Sequence, residues 1–149
     1  MEDLASQDRV FQTQRTLPYP ADEIYAAFAE PSRLAKWWGP AGFTNTFETF
    51  DFSVGGDWKF IMHGPDGTNY NNACVFRVLE PGKKIVIQHA CPPYFTLSVS
   101  LIPEGAGTQI LWVQAFDDSK VAAAVRHIVE PSNEQNLDRL HALLQCELL

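Results

Sequence analysis

The order of apolar and polar positions divides the chain into three parts. Arg9 to Thr16 alternates, with Val10, Gln12 and Gln14 facing one way and Phe11, Thr13 and Arg15 the other, which predicts one strand. Pro18 and Pro20 interrupt it. Ala21-Asp22-Glu23 then starts a helix with its acids in the first turn, where they meet the positive end of the helix dipole. Ile24, Ala27 and Phe28 form the apolar stripe of that helix, and Pro31 stops it. Ser32 is placed to cap a second, shorter helix that carries Leu34, Trp37 and Trp38 at the same i, i+3, i+4 spacing. A helix that short does not stand alone in water, so these side chains must pack on something.

From Phe43 to Phe116 the pattern is almost entirely strand and turn. The predicted strands are Phe43 to Phe52, Asp57 to His63, Thr68 to Leu79, Lys84 to Ala90, Tyr94 to Ile102 and Thr108 to Phe116. Gly55-Gly56, Gly64-Pro65-Asp66-Gly67, Pro81-Gly82, Cys91-Pro92-Pro93 and Pro103-Glu104-Gly105-Ala106-Gly107 separate them with residues suited to tight reversals. Connections this short make successive strands antiparallel neighbours. A sheet of six or seven such strands twists and curls, and its concave face has to be filled.

The third part supplies the filler. Ser119 to Val129 is helical in composition, and after Pro131 a second start reads as Ser132-Asn133-Glu134-Gln135, the S-x-x-Q form of a capping box. Leu137, Leu140, Leu144 and Leu148 then form one apolar stripe, which predicts a terminal helix, Asn133 to Glu147, lying across the sheet. No repeat or linker divides the chain. The fold class is therefore α+β in a helix-grip arrangement: a curved antiparallel sheet of six or seven strands, two short helices after the first strand and a long C-terminal helix across the concave face.

Composition agrees with one such domain. The chain has 149 residues, 46% of them hydrophobic and 19% charged, enough apolar material for a real core. The formal charge is −7, and no basic run exceeds Lys83-Lys84, which argues against nucleic acid and against anionic membrane surfaces as partners. No stretch approaches the roughly 20 apolar residues of a membrane span, and Met1 to Asp8 lacks the pattern of a secretory signal, so a cytoplasmic protein is expected. Three cysteines, Cys74, Cys91 and Cys146, stand far apart and form neither a disulfide framework nor a paired metal motif; free buried thiols are expected.

The chemistry-bearing residues form no catalytic signature. No G-x-S-x-G elbow and no phosphate-binding glycine loop opening a helix is present. Asp51 reads either as a general base or as a turn carboxylate, and the absence of a partner acid or base at catalytic spacing favours the turn. Asp66, in Pro-Asp-Gly, is a turn residue. His89-x-Cys91 places two metal-ligand types on one side of a strand, but a third and fourth ligand are not specified, so neither a metal nor any cofactor is expected. His127 and His141 fall in helices, His141 beside the leucine stripe, where packing accounts for it. Trp37, Trp38, Trp58 and Trp112 are of a type that lines ligand sites, and for Trp58 and Trp112 an ordinary core place fits equally.

Specific residues carry a resemblance to a known family. Trp37-Trp38-Gly39-Pro40 with Phe43, Phe50-Asp51-Phe52-Ser53-Val54-Gly55-Gly56-Asp57-Trp58, Met62-His63-Gly64-Pro65-Asp66-Gly67, Glu80-Pro81, Gly107-Thr108 and Leu137-Asp138-Arg139-Leu140 run through most of the chain. Together they resemble the SRPBCC superfamily, in the branch related to the activator of the ninety-kilodalton heat-shock protein ATPase. The resemblance implies a helix-grip fold around an apolar cavity, in a superfamily that includes lipid and hormone carriers, polyketide cyclases and co-chaperone domains. Where relatives often carry Gly-Trp ahead of the terminal helix, this chain has Ser132-Asn133, an amide in place of a bulky apolar plug.

These readings converge on one expectation. The domain binds a small apolar or amphipathic molecule between the sheet and the terminal helix, with Trp38, Trp58, His63, Tyr70, His89, Tyr94, Trp112 and Asn133 as candidate lining residues. The alternatives are a polyketide cyclase-like enzyme using isolated cavity groups such as His63, Tyr70, His89 and Tyr94, and a co-chaperone or stress-related domain with a protein partner. A homodimer is a further partner class.

Overall fold

A computed structural model describes residues 8–148; the reading of Met1 to Asp8 as lacking a secretory-signal pattern falls on residues 1–7 and Asp8, of which 1–7 lie outside the described residues. Its elements are β1 (Val10–Leu17), α1 (Ala21–Ala29), α2 (Pro31–Trp37), β2 (Thr44–Phe50), β3 (Asp57–His63), β4 (Asn69–Glu80), β5 (Lys84–His89), β6 (Phe95–Glu104), β7 (Gly107–Phe116) and α3 (Ser119–Glu147). The strands form one curved antiparallel sheet in the order β1-β7-β6-β5-β4-β3-β2. Each hairpin joins neighbours, as the short turns require, and β1 crosses to the far edge to pair with β7. Each strand begins and ends within two residues of its expected bounds.

Side-chain parity decides which residues reach the core. The inner face carries Trp58 and Phe60 on β3, Cys74 and Phe76 on β4, Ile85, Ile87 and His89 on β5, Leu97, Val99 and Leu101 on β6, and Ile110, Trp112, Gln114 and Phe116 on β7, all buried. Bulges between Phe47 and Thr49 and between Phe76 and Val78 shift the register locally and increase the twist of the sheet. The Asp51-to-Gly56 turn explains its own motif. Gly55 has φ +84°, and a Cβ on Gly56 would collide with the Asp51 carbonyl, while Asp51 Oδ1 accepts the Ser53 hydroxyl at 2.7 Å. Asp66 Oδ1 likewise accepts the Thr68 backbone N–H at 3.0 Å, holding its fully exposed carboxyl below the usual carboxylate range.

Five expectations change. Pro31 starts α2 as well as ending α1: Glu30 is the cap residue between them, Pro31 occupies the first turn, and Ser32 lies inside the helix. Proline's fixed φ and missing N–H suit a helix start. The terminal region is one helix of 29 residues with Pro131 inside it, not two helices separated by that proline. Its N-cap is Asp118, whose side chain accepts the Lys120 N–H, so the S-x-x-Q motif caps nothing. Packing on both sides of Pro131 holds the helix together. Ala122, with Val121, Val125 and Val129 beside it, packs on Phe11 and Phe116, while Leu137, Leu140 and Leu144 pack in the main core. Leu148 is 74% exposed and drops out of the stripe, and Cys146 is exposed as well; all three thiols are free.

Arg139 fastens α3 to the segment after α2. Its Nη1 donates to the carbonyls of Trp38 at 3.1 Å, Gly39 at 2.9 Å and Pro40 at 2.9 Å. Its Nη2 donates to those of Lys36 and Phe43, both at 2.9 Å. One guanidinium thus serves the carbonyls at the end of α2 that no helical N–H reaches. Burial lowers its pKa from the ordinary arginine value. Gly39 is required here: its φ is +98°, and a Cβ would meet Met62 Cε at 2.7 Å.

Two stability measurements check this architecture by urea denaturation. Leu140 is 0% exposed, so Leu140→Ala is expected to cost about 2 to 5 kcal/mol, while Lys120→Ala on the exposed face stays near wild type; equal midpoints for Leu140→Ala and wild type would mean that the stripe does not face the core. Arg139→Met keeps the stem but removes a donor shared by five carbonyls, of which Trp38's keeps Asn45 Nδ2 and Pro40's keeps the Phe43 N–H, with an expected loss of about 2 to 4 kcal/mol. Arg139→Lys should recover only part of it, because one ammonium cannot reproduce the planar fork; full recovery by lysine would show that charge alone matters.

Candidate functional site

The helix leaves a space because its apolar stripe stops short. α3 approaches the sheet along β1 and β7, and it also touches α1 and α2. Reading back from Leu144, Leu140 and Leu137, the next position on the same face is Asn133, four residues before Leu137. An amide there does not fill what a leucine or tryptophan would. The result is a cavity of about 450 Å³, within the usual range of small-molecule sites of ~300–1,000 Å³. Ile128, Val129, Ser132, Asn133 and Asn136 of α3 form one wall, and inner-face residues of β3 to β7 form the other. The Trp38-Gly39-Pro40 segment and Phe43 close one side. Half-exposed Tyr70 and Ile128, both on the lining, mark where it opens to solvent.

An aromatic cluster stiffens the closed side. The Trp38 ring lies 5.1 Å from Trp58, 6.0 Å from Trp112 and 5.6 Å from Trp37. Trp58 in turn stacks on Phe60 at 4.3 Å and is nearly parallel to Phe76. Trp37 donates its indole N–H to the Ala27 carbonyl at 3.0 Å, joining α2 to α1. The indole N–H groups of Trp58 and Trp112 are buried without a hydrogen-bond partner among the described residues.

Polar groups enter the lining at two places. Asn133 Nδ2 donates to Gln114 Oε1 at 3.1 Å, coupling α3 to β7. Near it, Asn136 Oδ1 accepts the Gly39 N–H at 3.2 Å, a further tie between α3 and the tryptophan segment. The second place is His89, whose Nδ1 lies 2.7 Å from the Pro93 carbonyl and whose Nε2 lies 2.7 Å from the Asn72 side-chain amide. The His89 ring stacks on Phe95, with centroids 4.6 Å apart and planes within 7°. Burial pulls the imidazole below the ordinary histidine value, against the Pro93 and Cys91 backbones that favour the charged ring. A neutral ring has a single N–H, which serves either the Pro93 carbonyl or Asn72 Oδ1, not both. Beside it, burial pushes the Cys74 thiol up to about 12, so it stays protonated.

Of the residues singled out from sequence, the structure brings Trp38, Tyr70, His89, Trp112 and Asn133 to the cavity. Three others it places elsewhere. Trp58 has the right parity but is 0% exposed, sealed between Phe60, Phe76 and Trp38 in the core behind the cavity wall. His63 is on the outer face, since Trp58, Phe60 and Met62 take the inward positions of β3; there it bonds Thr46 Oγ1 and Asn69 Oδ1, both at 2.7 Å. Tyr94 sits in the turn before β6 and is 48% exposed, outside the lining. Gln114, Asn72, Asn136 and Phe95 also line the cavity and went unrecognised. Gln114 shares strand parity with Trp112, Asn72 shares it with Tyr70, and Asn136 lies three residues after Asn133, so the periodicity held the signal. Among the described residues no group of three or more His, Cys, Asp or Glu is placed to hold a metal ion. No helix among them is long and apolar enough to cross a membrane.

Comparison with known proteins agrees with this architecture. No curated protein matches the chain significantly. Among solved structures, a protein from Nitrosomonas europaea superposes with a TM-score of 0.86 at 19% identity, covering 94% of this chain and 96% of that one. A protein from Chromobacterium violaceum gives a TM-score of 0.80 at 25% identity, covering 90% and 96%. An AHSA1 protein from Silicibacter pomeroyi gives 0.74 at 19% identity, covering 93% and 99%. The profile of one family, described as Activator of Hsp90 ATPase homolog 1-like protein, matches residues 18–145. With that match over most of its length, the helix-grip chain belongs to the Activator of Hsp90 ATPase homolog 1-like family of the SRPBCC superfamily.

Proposed function

We propose that the protein binds a small, largely apolar molecule in the cavity between α3 and the sheet, without a metal and without covalent chemistry. The observation that carries this reading is the amide of Asn133 at an apolar-stripe position of α3, opposite a wall that includes Trp38, Trp112, Phe60, Phe95 and Leu97. Apolar walls with a few placed polar groups are the usual form of small-molecule sites. Of the groups a cyclase-like reaction could use, Tyr70 and His89 reach the cavity, and both ring nitrogens of His89 are within hydrogen-bond distance of protein groups. A co-chaperone role rests on the family's description, whereas the cavity is built by this chain's own residues. Binding is therefore the better supported reading.

Thermal-shift screening of wild type and Asn133→Trp against lipids, steroids and aromatic polyketides tests it, together with native mass spectrometry for a retained molecule. Hits should raise the wild-type melting temperature. Asn133→Trp should fill the space, keep or slightly raise the unliganded melting temperature, and weaken the hits at least tenfold, about 1.4 kcal/mol. No hit in a broad apolar set, or equal shifts in both proteins, would sink the proposal.

A further inference from the structure

The polarity of the cavity narrows the class of ligand, on the premise that the cavity is a binding site. Among the described residues no Asp, Glu, Lys or Arg side chain lines it. Arg139 is the guanidinium bonded to Gly39 and Pro40 of the lining, but both of its terminal nitrogens are committed to backbone carbonyls. A carboxylate or an ammonium carried into the cavity would lose its water and find no opposite charge, a cost of several kcal/mol. His89 and Cys74 are the buried ionisable groups of the wall, and burial holds both toward their neutral forms.

The Gln114–Asn133 pair supplies the complementary feature. Gln114 is 8% exposed and lines the cavity, and the one hydrogen bond of its side chain among the described residues is the one it accepts from Asn133. That bond uses one oxygen and one nitrogen of the two amides. Gln114 Nε2 and Asn133 Oδ1 are left, a donor and an acceptor on neighbouring side chains. If both amides are turned over, the free pair becomes Asn133 Nδ2 and Gln114 Oε1, again one of each. A hydroxyl, which both donates and accepts, satisfies such a pair without carrying charge.

We propose that the cavity selects uncharged alcohols and phenols with a compact apolar body, the hydroxyl seated on the Gln114–Asn133 amide pair, and rejects carboxylates and ammonium ions of the same shape. Isothermal titration calorimetry at pH 7.5 with 2-naphthalenemethanol, 2-naphthoate and 2-naphthylmethylammonium separates the head groups on one ring system. The alcohol is expected to bind wild type at least tenfold more tightly than either ion. Gln114→Leu, close in size but without the amide, should weaken the alcohol about tenfold and leave the two ions unchanged. Equal or tighter binding of either ion overturns the charge selection while leaving the cavity reading in place. An unchanged alcohol affinity in Gln114→Leu overturns the seat of the hydroxyl; if that variant does not fold, Asn133→Ala makes the same comparison. Binding of none of the three overturns this proposal, and the apolar screen of wild type against Asn133→Trp then tells whether the cavity reading falls with it.

Discussion

The structure depends on one helix filling the concave side of a seven-stranded antiparallel sheet. Curvature is unavoidable for a twisted sheet of this width, and the hollow it makes is lined by every second residue of each inner strand. A helix offers only one narrow stripe in return. Leu137, Leu140 and Leu144 fill the part of the hollow beside α1 and α2, and Ala122, with Val125 and Val129 alongside, covers Phe11 and Phe116 toward the other end. Between those two packed regions the stripe carries Asn133, flanked by Ser132 and Asn136, and there the space stays open. The cavity is thus a gap in one row of side chains.

Two connections hold the walls of that gap in place. Arg139 collects the carbonyls of the segment from Lys36 to Phe43, which fixes Trp38 against Trp58 and Trp112. Asn136 adds the Gly39 N–H to the same contact. Because α3 supplies both groups, the helix that bounds one wall also positions the aromatic side of the other. Surface pairs such as Arg15 with Asp138 and Glu134 add a link from β1 to α3, but exposed pairs of this kind contribute little, of the order of 0–1 kcal/mol each.

A fold shared with structures at 19% to 25% identity shows how tolerant the sheet-and-helix frame is, and why it does not name an activity. A ligand is therefore inferred from the content of the cavity. The family's sequence marks, the Gly-Gly turn after Asp51 and the Trp-Trp-Gly-Pro segment, serve the frame: one makes a reversal that a Cβ would block, the other packs the tryptophans and offers its carbonyls to Arg139. The functional reading rests instead on Asn133, Gln114, Asn72 and His89.

The sequence by itself determined the hairpin order, the helix-grip class and a sheet of six or seven strands, because each depends on local signals: alternation, turn residues and a leucine stripe; the family was legible through specific motifs such as Trp37-Trp38-Gly39-Pro40 and Gly55-Gly56-Asp57-Trp58. It also pointed to Trp38, Tyr70, His89, Trp112 and Asn133. Only the tertiary structure separated these from His63, Trp58 and Tyr94. Whether His63 faces in or out turns on one residue of register, and Trp58 is inward yet sealed by neighbours from β2, β4 and the segment after α2. Pro131 reads locally as a helix break, and packing on both sides overrode it. Arg139 shows the same limit most plainly. A guanidinium that bonds five carbonyls about a hundred residues away in sequence leaves no trace in local pattern, since nothing in its own neighbourhood says which backbone will be brought to it.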